Sequence, residues 1–186
     1  RHDFRQHLRV IQDCVNRGDL EDLKSYLTEY EKQFPSHSDR IYCNSYAVNA
    51  ILAFYADKAE NSGIRLDVKL QMSDTPVIPE TEFCVLLGNL LENALDACQT
   101  GRSESQNSQP FIRVCAVQTG ASTLSITVDN TSVFKPTRIN KKLISTKSTG
   151  SGIGTESIRM IAEQYHGDAR FEWRDGVFYA SVMLNP

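Results

Sequence analysis

Phe83-Cys-Val-Leu-Leu-Gly-Asn-Leu-Leu-Glu-Asn-Ala-Leu-Asp-Ala-Cys98 is the stretch whose periodicity decides the fold. On a helical wheel Leu87, Leu90, Leu91, Ala94 and Leu95 share one side, while Asn89, Asn93 and Asp96 share the other. The apolar stripe predicts a helix packed on a core. The polar side is unusual, because two amides at i and i+4 and a carboxylate three residues on make a short column of oxygen-bearing groups. Such a column suits a hydrated hard cation, and magnesium is the natural guest. Taken alone, the stretch reads equally as an amphipathic helix with a solvated polar face, since Asn inside a helix is only mildly unfavourable.

Upstream, Ile64, Leu66, Val68, Leu70 and Met72 alternate as a half-buried strand, and a loop with Pro76 and Pro79 leads from it into the central helix. Before that strand, Val48, Ile51, Leu52, Tyr55, Ala56 and Ala59 form the face of a second core-packed helix, ended by Asn61-Ser62-Gly63. Ser36 to Asn44 is a polar connector. The chain opens with a different pattern: Phe4, Leu8, Ile11 and Val15, then Leu20, Leu23, Leu27, Tyr30 and Phe34, recur at gaps of three and four. Asn16-Arg17-Gly18 stops the first run, Asp19 caps the second and Pro35 ends it, which predicts an antiparallel helical hairpin. Two short helices bury little by themselves, so the seam is expected to pair with a second copy as a four-helix bundle. His2 lies about 160° round the wheel from Phe4, on the outward side with Gln6 and Asp13. Asp3 adjoins it, and a carboxylate beside an exposed imidazole can hold the tautomer and raise the basicity that a nucleophilic nitrogen needs. An inert surface histidine fits that position as well.

Downstream, 99–110 is rich in Gly, Ser, Gln and Asn and reads as a mobile surface loop. Phe111–Val117 and Leu124–Val128 are apolar runs joined by a polar turn, an antiparallel pair, with Asp129-Asn130-Thr131 at the exit of the second. From Asn130 to Thr155 there is no acid, yet Lys135, Arg138, Lys141, Lys142 and Lys147 all fall there. That segment suits a lid over phosphates, or a merely solvated loop. Gly150-Ser151-Gly152-Ile153-Gly154 closes it and leads into a helix with the apolar face Ile158, Ile161, Ala162 and Tyr165. Glycines just before a helix start let backbone N–H groups approach an anion where the helix dipole favours negative charge. The spacing matches neither the phosphate loop of G-x-x-x-x-G-K-[ST] type nor the dinucleotide fingerprint. The helix stops at His166-Gly167, and Ala169–Trp173 and Val177–Leu184 form a closing hairpin about Asp175-Gly176.

The 186 residues, 40% hydrophobic and 23% charged, are enough for one well-buried domain and a smaller attachment. A net charge of -3 provides no general attraction to nucleic acid. Five scattered cysteines without C-x-x-C spacing read as reduced thiols in a cytoplasmic setting, without zinc. No apolar run is long enough to span a membrane and no signal peptide opens the chain. Beginning at Arg1 in a helical pattern, the sequence reads as a soluble piece of something longer.

Asn89-Leu-Leu-Glu-Asn93-Ala, the strand ending at Asn130 and the Gly150-x-Gly-x-Gly154 loop before a helix resemble the ATP-binding domain shared by sensor histidine kinases, gyrase and MutL, the GHKL superfamily. Arg1-His-Asp-Phe-Arg-Gln-His7 with its hairpin resembles the phosphoacceptor region of histidine kinases, in the branch that includes bacterial peptide-pheromone receptors and quorum sensing. The resemblance implies an α+β fold: a two-layer α/β sandwich of the GHKL ATP-binding type over 41–186, preceded by a dimerising, phosphotransfer helical hairpin over 1–40. It implies ATP and magnesium as cofactors, with Asn93 on the metal and Asn89 one turn before it, and with Lys147, Gly150, Gly152, Ile153 and Gly154 on the phosphates. It makes His2 the phosphoacceptor, Asp3 its orienting base, and Gln6 a polar residue that aligns water for dephosphorylating the regulator.

Two positions depart from the wider superfamily. Where its ATPases carry a water-activating glutamate stands Asn89, and an amide is no general base, so transfer to a histidine is favoured over hydrolysis. Where most kinases open a D-x-G-x-G motif on adenine stands Asn130, followed by Thr131 and Ser132. The pheromone-receptor branch is similar in using asparagine there, and Asp129 is the alternative base contact. The implied partners are a second copy, a response regulator and, in a missing upstream sensor region, the membrane; nucleic acid is not among them. A non-catalytic nucleotide sensor or phosphorelay scaffold is the rival reading. A serine kinase of the anti-sigma type shares the ATP domain but lacks the histidine hairpin.

Overall fold

The computed structural model describes residues 2–31, 41–73, 77–100, 109–120, 122–133, 135, 138–139, 142–143 and 153–186; for 2–8, 30–31, 138–139, 142–143 and 153 it describes the backbone alone. The chain divides into two compact units, Arg1–His37 and Ser38–Pro186. In the first, helix α1 (His2–Arg17) and helix α2 (Leu20–Glu31) form the hairpin that the heptad gaps predict. Asp19 begins α2 as a capping residue, its Oδ1 accepting the Asp22 backbone N–H at 3.2 Å. Val10, Val15, Leu20 and Leu27 remain exposed on this hairpin, with Val15 at 57% and Leu20 at 63%.

The second unit starts with α3 (Tyr46–Asn61), whose first turn is satisfied by the Ser45 hydroxyl accepting from the Val48 N–H at 3.1 Å. Strand β1 (Arg65–Gln71) follows, alternating exposed and half-buried residues, and then α4 (Glu80–Gln99), the helix of the opening stretch. Phe83, Leu86, Leu87, Leu90, Leu91, Ala94, Leu95 and Cys98 are its buried face. Strands β2 (Phe111–Thr119) and β3 (Thr123–Thr131), the short pair β4 (Arg138–Ile139) and β5 (Lys142–Leu143), helix α5 (Ile153–Gln164) and strands β6 (Asp168–Arg174) and β7 (Val177–Leu184) complete it.

Five strands form one sheet in the order β1-β2-β3-β7-β6. Only β1 and β2 run parallel, so their connection has to cross the sheet, and α4 is that crossover. Helix α3 packs on β1, α4 on β2 and β3, and α5 on β6 and β7, one helical layer on one sheet. The other face of the sheet carries exposed Lys69, Arg113, Glu172 and Ser181, an alternation that leaves it to solvent. The result is an α+β two-layer sandwich. The β6–β7 turn places Asp175 at φ +50° and Gly176 at φ +80°, the two left-handed residues of the hairpin turn that Asp-Gly predicts.

Three differences from the sequence reading stand out. Asp129, Asn130 and Thr131 lie inside β3 and not beyond it, because Asp129 and Asn130 pair on both sides, with Arg113 and Ile112 of β2 and with Tyr179 and Phe178 of β7, and Thr131 pairs with Val177 of β7. The acid-free segment contains the β4–β5 pair, where Arg138 opposes Leu143 and Ile139 opposes Lys142. The loop read over 99–110 begins after α4 reaches Gln99, and 101–108 lies outside the described residues. Among the described residues no helix is long and apolar enough to cross a membrane.

Leu91 is fully buried between the helical layer and the sheet. Leu91→Ala is expected to lower unfolding stability by about 3 kcal/mol, the transfer loss plus the cavity left behind. Urea unfolding checks it as a lower midpoint at unchanged slope.

Candidate functional site

Two contacts fix how α4 and α5 lie together. At one end the Gln164 side-chain amide donates to both Glu82 carboxylate oxygens at 3.3 and 3.2 Å, and the Tyr165 hydroxyl also bonds Glu82. At the other end Gly154 lies flat against the Asn93 side chain. A Cβ on Gly154 would stand 3.0 Å from Asn93 Oδ1 and 3.1 Å from Nδ2, a tight contact that the Asn93 amide would have to relieve by shifting a few tenths of an ångström. These contacts are about 16 Å apart along α4 and about 15 Å along α5, so the helices run antiparallel and in register. The N-terminus of α5 therefore opens beside Asn93. Its first-turn N–H groups and the positive end of its dipole lie at the same end of the helix pair as the Asn93 amide.

Asn93 is half-buried on the edge of α4 that faces α5. Asn89 is one turn earlier, and its Nδ2 donates to the Val85 carbonyl at 2.8 Å, which anchors the amide by its nitrogen on its own helix. Asp96 is half-buried on the same polar side. Glu92 has a use that the sequence reading missed: it meets Lys58 of α3 at 3.9 Å and accepts a hydrogen bond from the Tyr55 hydroxyl. Burial first, then the Glu92 charge and hydrogen bond and the Asp96 charge, push the Tyr55 phenol well above its ordinary value. Lys58 lies 4.5 Å from the centre of the Phe54 ring. Glu92 thus braces α4 against α3 while the next residue, Asn93, faces α5. The legible sign was Tyr55 and Lys58 at i, i+3 on α3, but no pattern in the letters says which acid they meet.

Asn130 is 1% exposed and shares the helix-facing side of β3 with Ile126 and Val128, as strand parity predicts. Its Nδ2 donates to the Thr131 carbonyl at 2.9 Å. The Cys98 thiol at the end of α4 comes to 3.3 Å from the same carbonyl and 3.4 Å from that of Phe111. Burial raises this thiol to about 11 against the opposing hydrogen bonds from Thr131 and Asn130, so it stays protonated and unreactive near neutral pH. Cys98 follows Asn93 by five residues, about 7.5 Å along the helix, which brings Asn93, Asn130 and Gly154 to one end of the sandwich. Asp129 points to the opposite face, 4.0 Å from Arg113, its carboxyl raised by burial and lowered by that guanidinium. Just past Asn130, the Ser132 N–H donates to the Gly176 carbonyl at 2.8 Å and its carbonyl accepts from the Trp173 indole at 2.9 Å. The contact between Ser132 and Trp173 escaped the sequence reading, because nothing in the pattern pairs positions so far apart in the chain.

Lys147, Gly150 and Gly152 lie outside the described residues, and Ile153 is described only as the first residue of α5. His2, Asp3 and Gln6 are in α1, described by backbone alone. Among the described residues no three His, Cys, Asp or Glu side chains gather to hold a metal. The donors that remain suit magnesium, which is held by one or two protein oxygens with water and phosphate oxygens filling the other positions, and the Asn93 amide oxygen can be one of them.

Residues 79–185 match the family described as the GHKL domain. The catalytic domain of histidine kinase ThkA, in a nucleotide-free form, is similar in structure at TM-score 0.55 and 17% identity, over 75% of this chain and 90% of that one. The histidine kinase AdeS of Acinetobacter baumannii gives 0.54 at 12% identity over 99% and 97% of the two chains. The mycobacterial sensor histidine kinase MprB gives 0.51 at 14% identity over 75% and 93%. At these identities the likeness is one of fold. No curated protein gives a significant match.

Proposed function

The chain belongs to the GHKL domain family, and from that premise we propose that it is an ATP-dependent protein histidine kinase that phosphorylates its own His2. It then passes the phosphoryl group to an aspartate of a response regulator in two-component signalling. The observation that carries this reading is the approach of Gly154 to the Asn93 side chain, which sets an amide oxygen beside a helix N-terminus. A cation ligand and an anion site side by side are what a magnesium-bound triphosphate requires.

In this reading the Asn93 oxygen holds magnesium, and the 150–154 backbone with Lys147 cradles the phosphates. Asn130 contacts adenine from the buried end. Magnesium supplies charge neutralisation on the triphosphate oxygens. Asp3 holds one ring nitrogen of His2 so that the other attacks the γ-phosphorus. The new N–P bond forms as the bond to the β,γ-bridging oxygen breaks and ADP departs. Asn89 has no base to offer water, which disfavours plain hydrolysis, and Gln6 is assigned to aligning water when the regulator is dephosphorylated. Residues 1–40 act as the dimerisation and phosphotransfer hairpin, with the exposed Val10, Val15, Leu20 and Leu27 covered by a second copy. Residues 41–186 act as the catalytic domain. A membrane-anchored sensor of the peptide-pheromone branch is the natural full-length context, with this portion on the cytoplasmic side.

Incubating the chain with γ-labelled ATP and magnesium should attach label that is lost in acid and kept in base, as a phosphoramidate is. Label stable to acid would place the phosphate on a hydroxyl and overturn the histidine assignment. The second reading, a nucleotide sensor without catalysis, draws on Thr131 and Ser132 in place of flexible glycines. It predicts ATP affinity that does not respond to magnesium.

A further inference from the structure

Strand β1 forms one margin of the sheet, with β2 on one side and, among the described residues, no strand on the other. The Arg65 N–H donates to the Pro110 carbonyl at 2.9 Å, so the Arg65 peptide groups point to β2. Those of Asp67, Lys69 and Gln71 follow by alternation, and those of Leu66, Val68 and Leu70 point away. Among the described residues no backbone group bonds to these outward ones. The helix-facing side is open here too: Leu66, Val68 and Leu70 are half-buried, whereas their β2 neighbours Ile112, Val114 and Ala116 are at most 2% exposed. Arg65–Gln71 contains neither proline nor glycine to interrupt a pairing edge. A guard of like charges would repel a second copy, but exposed Asp67 and Lys69 are of opposite sign.

We propose that the outward edge of β1 is an interface for a second copy of this chain, its β1 paired antiparallel about a twofold axis at Val68. In that register Leu66 of one copy opposes Leu70 of the other, and outward peptide groups meet outward peptide groups throughout. Asp67 falls opposite the partner's Lys69, and by symmetry Lys69 opposite the partner's Asp67. Both pairs occupy non-hydrogen-bonded sites, where opposed side chains come closest. The charges also fix the register. Moving the axis one residue either way sets Asp67 against its own copy or Lys69 against its own copy. The two sheets then join as one of ten strands. This interface lies wholly within the Ser38–Pro186 unit and uses none of the residues of the α1–α2 seam.

Hydrogen exchange of the full chain, read residue by residue by NMR, tests this. In the wild type the Leu66, Val68 and Leu70 amides should be protected. Lys69→Glu changes an exposed side chain and sets two like-charge pairs across the axis, so it should speed exchange of those three amides about tenfold. The amides at positions 67 and 69, which point to β2, should keep their protection and so report that the fold is intact. Asp67→Lys should act in the same way from the other side, and serves if Lys69→Glu does not fold. An isotope-labelled Lys69→Glu chain refolded from urea with an excess of unlabelled Asp67→Lys chain should recover slow exchange, because the two offer each other only opposite charges. Pairing within one chain cannot produce that recovery. Unprotected outward amides in the wild type, protection indifferent to both single changes, or no recovery in the mixture would overturn the proposal.

Discussion

Asn93→Ala is expected to cut magnesium-dependent labelling by about a thousandfold, the scale of losing a pre-positioned group that neutralises charge at a reacting phosphate. Asn93 is half-buried on the edge of α4 and stands outside the apolar set of Leu90, Leu91, Ala94 and Leu95, so truncation leaves the core untouched. The loss should therefore appear without a fall in the urea midpoint. That separates it from Leu91→Ala, which acts on stability. Gly154→Val approaches the same contact from α5: its Cβ begins 3.0 Å from the Asn93 oxygen, and its methyl groups would crowd the opening of the helix. Calorimetry with ATP, with and without magnesium, checks both variants. An Asn93→Ala chain that still labels at the wild-type rate would remove this amide from the chemistry.

His2→Ala should reduce incorporated label to background, since the reading assigns no second acceptor. ATP affinity should be unchanged, because the nucleotide groups all lie in the Ser38–Pro186 unit. The pairing of these results matters: Asn93→Ala removes nucleotide chemistry and leaves the acceptor, whereas His2→Ala removes the acceptor and leaves the nucleotide site. His7 lies five residues from His2, about 140° further round the helix. Persisting acid-labile label in His2→Ala, lost only on changing His7, would move the acceptor there.

The central helix, the hairpin stop at Asn16-Arg17-Gly18 and the Asp175-Gly176 turn were legible because each is dictated by local preference, a period of 3.6, a cap or a left-handed pair. Strand parity likewise put Asn130 with Ile126 and Val128 and turned Asp129 the other way. What the letters could not supply was pairing over distance. Nothing local says that Glu92 braces against Tyr55 and Lys58, that Trp173 reaches Ser132, or that Arg138 and Ile139 pair with Lys142 and Leu143. Strand ends suffer for the same reason: Asp129 and Asn130 look like a polar exit until partners on both sides extend the ladder over them. The Asn93–Gly154 contact lies between these cases, since each residue stood out alone and only the antiparallel register of α4 and α5 joins them.

The strand order holds a consequence for how this molecule comes into being. Residues 177–184, late in the sequence, occupy an interior place between β3 and β6. During synthesis Thr123–Thr131 must wait with one bare margin until residues 177–184 have left the ribosome, since its second neighbour does not yet exist. Nascent chains are therefore vulnerable to sticking to one another at that margin, and the end of the sandwich that holds Asn130 can close only as β7 slots in.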